Sequence, residues 1–172
     1  MRTMTPGAQT IQQEHEAFRP HLESIRRLAD SIEDTPAERL RAAVGEIDEF
    51  VAHTVMPHAV AEGRVLIPLV RKEGAEPTIG VRMTACHVQV GRLLDELEAL
   101  IPSLRGPTVP PATQRELRRI LYSTHALLEA HLAEVDADLE PLLEAKLPPE
   151  QREALFEAVE QCAREVASLY ER

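Results

Sequence analysis

The stretch PHAVAEGRVLIPLV, residues 57–70, combines a helical apolar pattern with two polar side chains on one face of the helix. His58 and Glu62 are four residues apart, and residues at that spacing lie one above the other along a helix. If the pair faces solvent, it forms a surface hydrogen bond and nothing more. If it faces the core, both side chains must find polar partners or bind a metal. The apolar residues of the stretch are Val60, Val65, Leu66, Leu69 and Val70.

The composition favours a single helical domain. The chain has 172 residues, of which 44% are hydrophobic, and this is enough for one sizeable core. Aromatic residues are few, while alanine, leucine and glutamate dominate. Such a composition favours helices over sheets.

The net charge and the cysteine content bear on partners and location. A formal charge of −10 argues against binding to nucleic acid or to an anionic membrane. No apolar run approaches the roughly 20 residues that span a bilayer, and the first ten residues lack the apolar region of a signal peptide. Two cysteines, Cys86 and Cys162, are too few for a disulfide scaffold and suit a reducing compartment. We therefore expect a cytoplasmic protein that binds neither nucleic acid nor membrane.

Breaks at proline and glycine divide the chain into four long amphipathic segments and a shorter tail. The predicted helices span about residues 10–32, 36–69, 78–100, 112–146 and 149–170. Pro57 and Pro68 are expected to kink or end the second helix. This pattern predicts an all-α protein, an antiparallel up-down four-helix bundle with an additional C-terminal helix. Residues 1–9 are expected to be flexible, and residues 10–172 to form the bundle domain.

One histidine falls near the centre of the apolar stripe on each of the four bundle helices. A single histidine on an apolar face is usually a core residue bonded to a carbonyl group, but four of them beside one glutamate call for a common explanation. Buried imidazoles without partners would each cost about 1 to 3 kcal/mol, and a metal satisfies several at once. Nitrogen and oxygen ligands without thiolates suit iron, manganese or zinc, and non-haem iron is favoured among them. The four residues are His15, His58, His87 and His131.

The other three histidines are expected to lie outside such a site. His21 lies on another face of the first helix and is expected at the surface. His53 is expected at the boundary of the core, and His125 is expected to pack in the core beside its neighbours. Cys86 is expected to be a small buried side chain.

In their order and spacing these residues resemble the haemerythrin-like, cation-binding HHE domain. The resemblance rests on His15, the motif His58-x-x-x-Glu62, His87 and His131, and it covers about residues 12–155. It implies a four-helix bundle around two iron ions bridged by carboxylates and by an oxo or hydroxo group. Members of that family bind or sense oxygen, react with peroxide or nitric oxide, or respond to iron.

The sequence departs from the family pattern at the fourth helix. Position 135, four residues after His131, is valine, where the family usually has a carboxylate. Asp136 keeps the His-x-x-x-x-Asp spacing of haemerythrin, and a local widening of the helix would bring it inward. Asp138 and Glu134 are the alternatives for the missing ligand.

Two further departures lie on the third helix. Cys86 replaces the usual aspartate before the third histidine, and Gly91 stands where oxygen-carrying haemerythrins have a further histidine. The metal at that end should therefore have an open position, and reversible oxygen carriage is not expected. The resulting predicted metal ligands are His15, His58, Glu62, His87, His131 and Asp136.

Three functions remain open at this point. The first is a redox-active di-iron protein that binds oxygen or decomposes peroxide, with oxygen, peroxide or nitric oxide as its small-molecule partner. The second is a cytoplasmic iron or oxygen sensor, a binding module without turnover. The third is a bundle that has lost its metal and acts as an interaction domain. The sequence does not identify a protein partner.

Overall fold

The computed structural model describes residues 11–72 and 77–170, and nearly all of them are helical. The helices are α1 (Ile11–Ser31), α2 (Ala37–Phe50), α3 (Met56–Lys72), α4 (Pro77–Leu100), α5 (Pro111–Glu134), α6 (Glu140–Lys146) and α7 (Pro149–Tyr170). Five-residue π-helical turns join α2 to α3 (Val51–Val55) and α5 to α6 (Val135–Leu139), so each of these pairs forms one continuous rod. No strand occurs among the described residues, which confirms the all-α prediction. Residues 1–9, which were expected to be flexible, lie outside the residues that the structure describes.

Pro57 and Pro68 were predicted to kink or end the second helix. An end at either proline is wrong, because α3 continues through both to Lys72. Proline lacks an N–H group, and its ring crowds the carbonyl group four residues earlier. The π-helical turn Val51–Val55 directly precedes Pro57, and the N–H of Met56 bonds the carbonyl of Val51 across that wider turn. Pro141 follows the second π-helical turn at the same distance. The widened turns therefore accommodate Pro57 and Pro141 without ending the rods.

Two apolar clusters fill the interior. Cluster 1 contains residues such as Leu22, Val55, Val90 and Leu128, together with the interior of α2 and the first half of α5. Cluster 2 brings α7 into the core and has as members Ile11, Ala61, Leu66, Ile67, Val70, Ile79, Met83, Val135, Leu139, Leu143 and Val159. The main helix contacts are α3 with α7, α1 with α5, and α4 with both α5 and α3.

The four histidines of interest lie between these clusters along the chain. On α1, His15 lies between Ile11 of cluster 2 and Leu22 of cluster 1. On α4, His87 lies between Met83 of cluster 2 and Val90 of cluster 1. His58 likewise lies between the two clusters, and His131 lies next to Leu132, after which the rod enters cluster 2. The four histidines thus form a polar layer near the boundary of the clusters. None of the helices in residues 11–72 and 77–170 is long and apolar enough to cross a membrane.

Candidate metal centre

His58 and Glu62 face the interior. Both residues are buried, with 5% of His58 and none of Glu62 exposed, so the pair is not the surface hydrogen bond that the sequence left open. His15 on α1 and His131 on α5 are also buried, and His87 on α4 keeps 14% of its side chain exposed.

One oxygen of Glu62 lies against the histidines of α1 and α3. Oε1 is 3.3 Å from Nε2 of His58 and 3.8 Å from Nε2 of His15. The two Nε2 atoms are 3.1 Å apart. Three candidate ligand atoms, two nitrogens and one oxygen, therefore converge on one point.

The other oxygen of Glu62 lies against the histidines of α4 and α5. Oε2 is 3.0 Å from Nε2 of His87 and 3.3 Å from Nε2 of His131. These atoms form a second group of two nitrogens and one oxygen. Glu62 is the carboxylate common to both groups, so its two oxygens divide four imidazoles into two pairs.

The arrangement fits metal ions better than it fits hydrogen bonding. The oxygens of Glu62 and Nε2 of His87 are buried and have no well-aligned hydrogen-bond partner among the described residues, although imidazole nitrogens lie 3.0 to 3.8 Å from the Glu62 oxygens. Unpartnered buried polar atoms are rare and costly in proteins. Two ligand atoms held about 2.1 Å from one ion and at right angles are about 3 Å apart. The separations given above run from 3.0 to 3.8 Å, at that value or above it.

The electrostatics of the centre favour a cation. Burial alone would raise the pKa of the Glu62 carboxyl, but His58 and His131 outweigh it and hold that pKa well below its usual range. Burial lowers the pKa of His15 to about 3, so its imidazole stays neutral and can donate a lone pair. Burial also works against the charged form of His58, but Glu62 and Glu14 together raise its pKa to about 10. A metal that binds His58 must therefore displace a proton.

A small cavity of about 20 Å³ lies beside the centre, and its lining includes His58, Glu62, His87 and His131. A volume above roughly 10 to 15 Å³ admits a water-sized molecule. The remaining lining residues are apolar: Phe18, Leu22, Val55, Ala59, Val90, Leu128 and Leu132. Gly91 does not open a large space, because a Cβ atom at that position would meet the Cε atom of Met56 at 3.4 Å.

The fourth helix widens after His131, as expected for a helix in which Asp136 turns inward. The π-helical turn begins at Val135, which is fully buried in cluster 2. Asp136, however, belongs to neither ligand group, and its Oδ2 accepts a hydrogen bond from Nη2 of Arg19 at 3.1 Å. Its Oδ1 is buried without a hydrogen-bond partner. The structure thus brings five of the six predicted ligands together, whereas Asp136 is hydrogen-bonded to Arg19.

The two alternatives to Asp136 point elsewhere. Both Glu134 and Asp138 pair with Arg82 of α4, and 47% of the Asp138 side chain is exposed. Neither belongs to a ligand group. The structure therefore gives no support to either as the replacement for the carboxylate missing at position 135.

The histidines expected outside the site lie there. His21 is exposed and stacks on Phe50, with ring centroids 4.2 Å apart. His53 lies near Glu49, and His125 is partly buried with Glu129 as its neighbour. Cys86 is also only partly buried, and it donates to the carbonyl of Leu127. Burial raises the pKa of the Cys86 thiol to about 11, which makes a thiolate ligand unfavourable.

One residue of the centre was not anticipated from the sequence. Oε2 of Glu14 lies 3.2 Å from Nδ1 of His58, on the side of the ring opposite Glu62. Glu14 directly precedes His15, so a helix turns it about 100° away from the face that carries the histidine. The apolar pattern of α1 gives no sign that this flank faces α3, and only the packing of the two helices reveals it.

The sequence matches the family model described as Hemerythrin HHE cation binding domain over residues 7–143. That range includes all five residues of the two ligand groups and ends before α7 begins. No curated protein and no solved structure gives a significant match. The matched part is far more than half of the 172 residues. The chain therefore belongs to the Hemerythrin HHE cation binding domain family.

Proposed function

We propose that this protein is a non-haem di-iron protein whose centre binds oxygen or reacts with peroxide. The observation that carries the proposal is the position of Glu62 between two pairs of imidazoles, one pair at each carboxylate oxygen. Such a carboxylate would hold two ions side by side. His15 and His58 would complete one ion's protein ligands, and His87 and His131 the other's.

Iron is the metal that this donor set supports best. Two imidazoles and one carboxylate with open positions are typical of non-haem iron sites that handle oxygen. Each group offers three protein ligands, so positions remain for a small molecule. Bound iron would supply Lewis acidity and electrons to oxygen or peroxide.

The protein's own residues would orient the ligands and limit water. The apolar lining of the 20 Å³ cavity leaves room for a small molecule and little more. Glu62 remains ionised because of the imidazoles around it, so a carboxylate is available before any ion arrives. The neutral imidazole of His15 supplies a lone pair without prior loss of a proton.

We also propose that helix α1, the rod α2–α3, helix α4 and the rod α5–α6 form an antiparallel up-down bundle. This arrangement is supported by the order in which residues of the two apolar clusters follow one another along each of these four elements. Helices α1 and α4 begin in cluster 2, at Ile11 and Ile79, and continue into cluster 1. The rods α2–α3 and α5–α6 begin in cluster 1 and continue into cluster 2, where their last members are Val70 and Leu143. Alternating directions of this kind are what an up-down bundle requires.

We also propose that the protein acts in the cytoplasm on small molecules and without nucleic acid. The location is supported by Cys86 and Cys162, which are both free thiols. The absence of a nucleic-acid partner is supported by the net charge of −10.

Peroxide consumption by iron-loaded and metal-free protein tests the proposal. Iron-loaded protein should convert two H2O2 to O2 and two H2O and should absorb in the near ultraviolet, and the metal-free form should do neither. His21→Ala is the matched control, because His21 is exposed and outside both ligand groups. Equal rates with and without iron would contradict the peroxide reaction and favour an iron or oxygen sensor. Failure to retain any transition metal would contradict the di-iron centre itself.

A further inference from the structure

The two ligand groups are not supported equally by their surroundings. In the first group, Nδ1 of His58 lies 3.2 Å from Oε2 of Glu14. The Nδ1 atoms of His15 and His131 are buried without a hydrogen-bond partner among the described residues. Their Nδ1 atoms therefore have no carboxylate partner, whereas Nδ1 of His58 has Glu14.

Glu14 is placed to act on His58 and not on a metal. It belongs to neither ligand group. Its side chain is 18% exposed and lines a surface groove of about 290 Å³ with Pro57, Ala163 and Ala167. Glu14 thus contacts His58 from the groove side, while Nε2 of the same ring faces Glu62.

The contact determines which nitrogen of His58 is free for a metal. Once the metal has displaced the proton from Nε2, Nδ1–H still donates to Oε2 of Glu14 and Nε2 presents the lone pair. That lone pair is directed to the point shared by Oε1 of Glu62 and Nε2 of His15, at 3.3 and 3.1 Å. Partners of this kind fix the ring and increase the basicity of the ligand.

We propose that Glu14 is a positioning residue that orients His58 and makes the ion bound by His15 and His58 the tighter of the two. The proposal rests on the di-iron centre proposed above. Losing such a partner typically lowers metal affinity about 10- to 100-fold. The loss should fall on one ion, because the second group shares only Glu62 with the first.

Iron(II) titration under anaerobic conditions, in competition with a chelator, measures the two affinities separately. Glu14→Ala should weaken one site about 10- to 100-fold and change the other much less. Glu14→Gln should restore most of the lost affinity, because its amide oxygen can still accept from Nδ1–H. Glu16→Ala is the matched control, since Glu16 lies on the same helix and pairs with Arg19 at the surface.

A second measurement separates positioning from a general effect on folding. In protein loaded with zinc as a diamagnetic probe, the Nδ1–H proton of His58 should give a slowly exchanging downfield signal. The signal should persist in Glu14→Gln and disappear in Glu14→Ala. A merely structural role would leave this proton unaffected in every variant that folds.

The outcomes distinguish the two proposals. Wild-type protein with two iron sites that Glu14→Ala leaves unchanged, or weakens equally, overturns the role of Glu14 and leaves the di-iron centre standing. Absence of a protected Nδ1–H proton in zinc-loaded wild type overturns it as well, without any variant. Wild-type protein that binds no metal overturns both.

Discussion

Replacing Val135 with glutamate should destabilise the protein without improving metal binding. The family pattern invites this change, because a carboxylate usually stands four residues after the last histidine. Here the π-helical turn that starts at Val135 rotates the side chain into cluster 2, where it is fully buried beside residues such as Ile11, Ala61 and Leu139. A carboxylate at this position would therefore meet apolar atoms and no ion.

The size of the effect follows from that burial. A buried polar group without a partner costs about 1 to 3 kcal/mol by mutational data, and overpacking a filled core adds about 1 to 3 kcal/mol. We expect a loss of about 3 kcal/mol in the free energy of unfolding, against a total of roughly 5 to 15 kcal/mol for a protein. With a urea dependence of about 1 to 3 kcal/mol per molar, the unfolding midpoint should fall by about 1 to 3 M.

Urea unfolding of the metal-free protein and iron titration of the folded protein measure the two halves of this prediction. Val135→Gln is the control, because it matches glutamate in size but is a poor ligand for iron. Both variants should lose stability, and neither should gain iron affinity. The reasoning would be refuted if Val135→Glu unfolded at the wild-type urea midpoint and bound iron more tightly than Val135→Gln. That result would show that position 135 faces the metal centre.

Three further predictions concern the centre itself. Alanine substitutions of His15, His58, His87 and His131 should each lower the iron content and alter stability. His21→Ala should do neither. Metal analysis and thermal unfolding measure the two effects. Asp136→Ala should weaken iron binding, because the buried, unpartnered Oδ1 is available to join the ligands on loading. Unchanged iron affinity would show that Asp136 pairs with Arg19 and does not bind the metal. The pKa of His58 is raised to about 10 from an ordinary 6.5, so protonation of this ring should stabilise the metal-free protein. This stabilisation should be complete below pH 6.5 and should be lost as the pH rises to 10. Urea midpoints that stay level over that range, or that do not become flatter in His58→Gln, would count against this pKa.

The helices were predictable because their signals are local. Apolar residues recur at helical spacing, and proline and glycine mark the breaks, so the predicted C-terminal helix at about residues 149–170 matches α7 in both bounds. The continuation of the second helix through Pro57 was not predictable, since it depends on a π-helical turn in the preceding five residues. Proline rules predict a break, and tertiary packing selected a widened turn instead.

The centre was predictable where ligands share the apolar stripe of a helix. His58 and Glu62 lie on such a stripe, so helical periodicity alone turned them inward. Periodicity failed for residues on the flank of a stripe, where the neighbouring helix decides what a polar side chain meets. Glu14 reaches His58 across the interface of α1 and α3, and Asp136 meets Arg19 at a separation of 117 residues.

The iron content of wild-type protein and of Glu62→Ala, after identical anaerobic loading and removal of free metal, tests the central claim most directly. Glu62 is the one residue shared by both ligand groups, and each of its oxygens serves two imidazoles. Wild type should retain close to two irons per chain, and Glu62→Ala, still helical by circular dichroism, should retain almost none. Wild type without metal, or Glu62→Ala with both irons still bound, would contradict a di-iron centre built on Glu62.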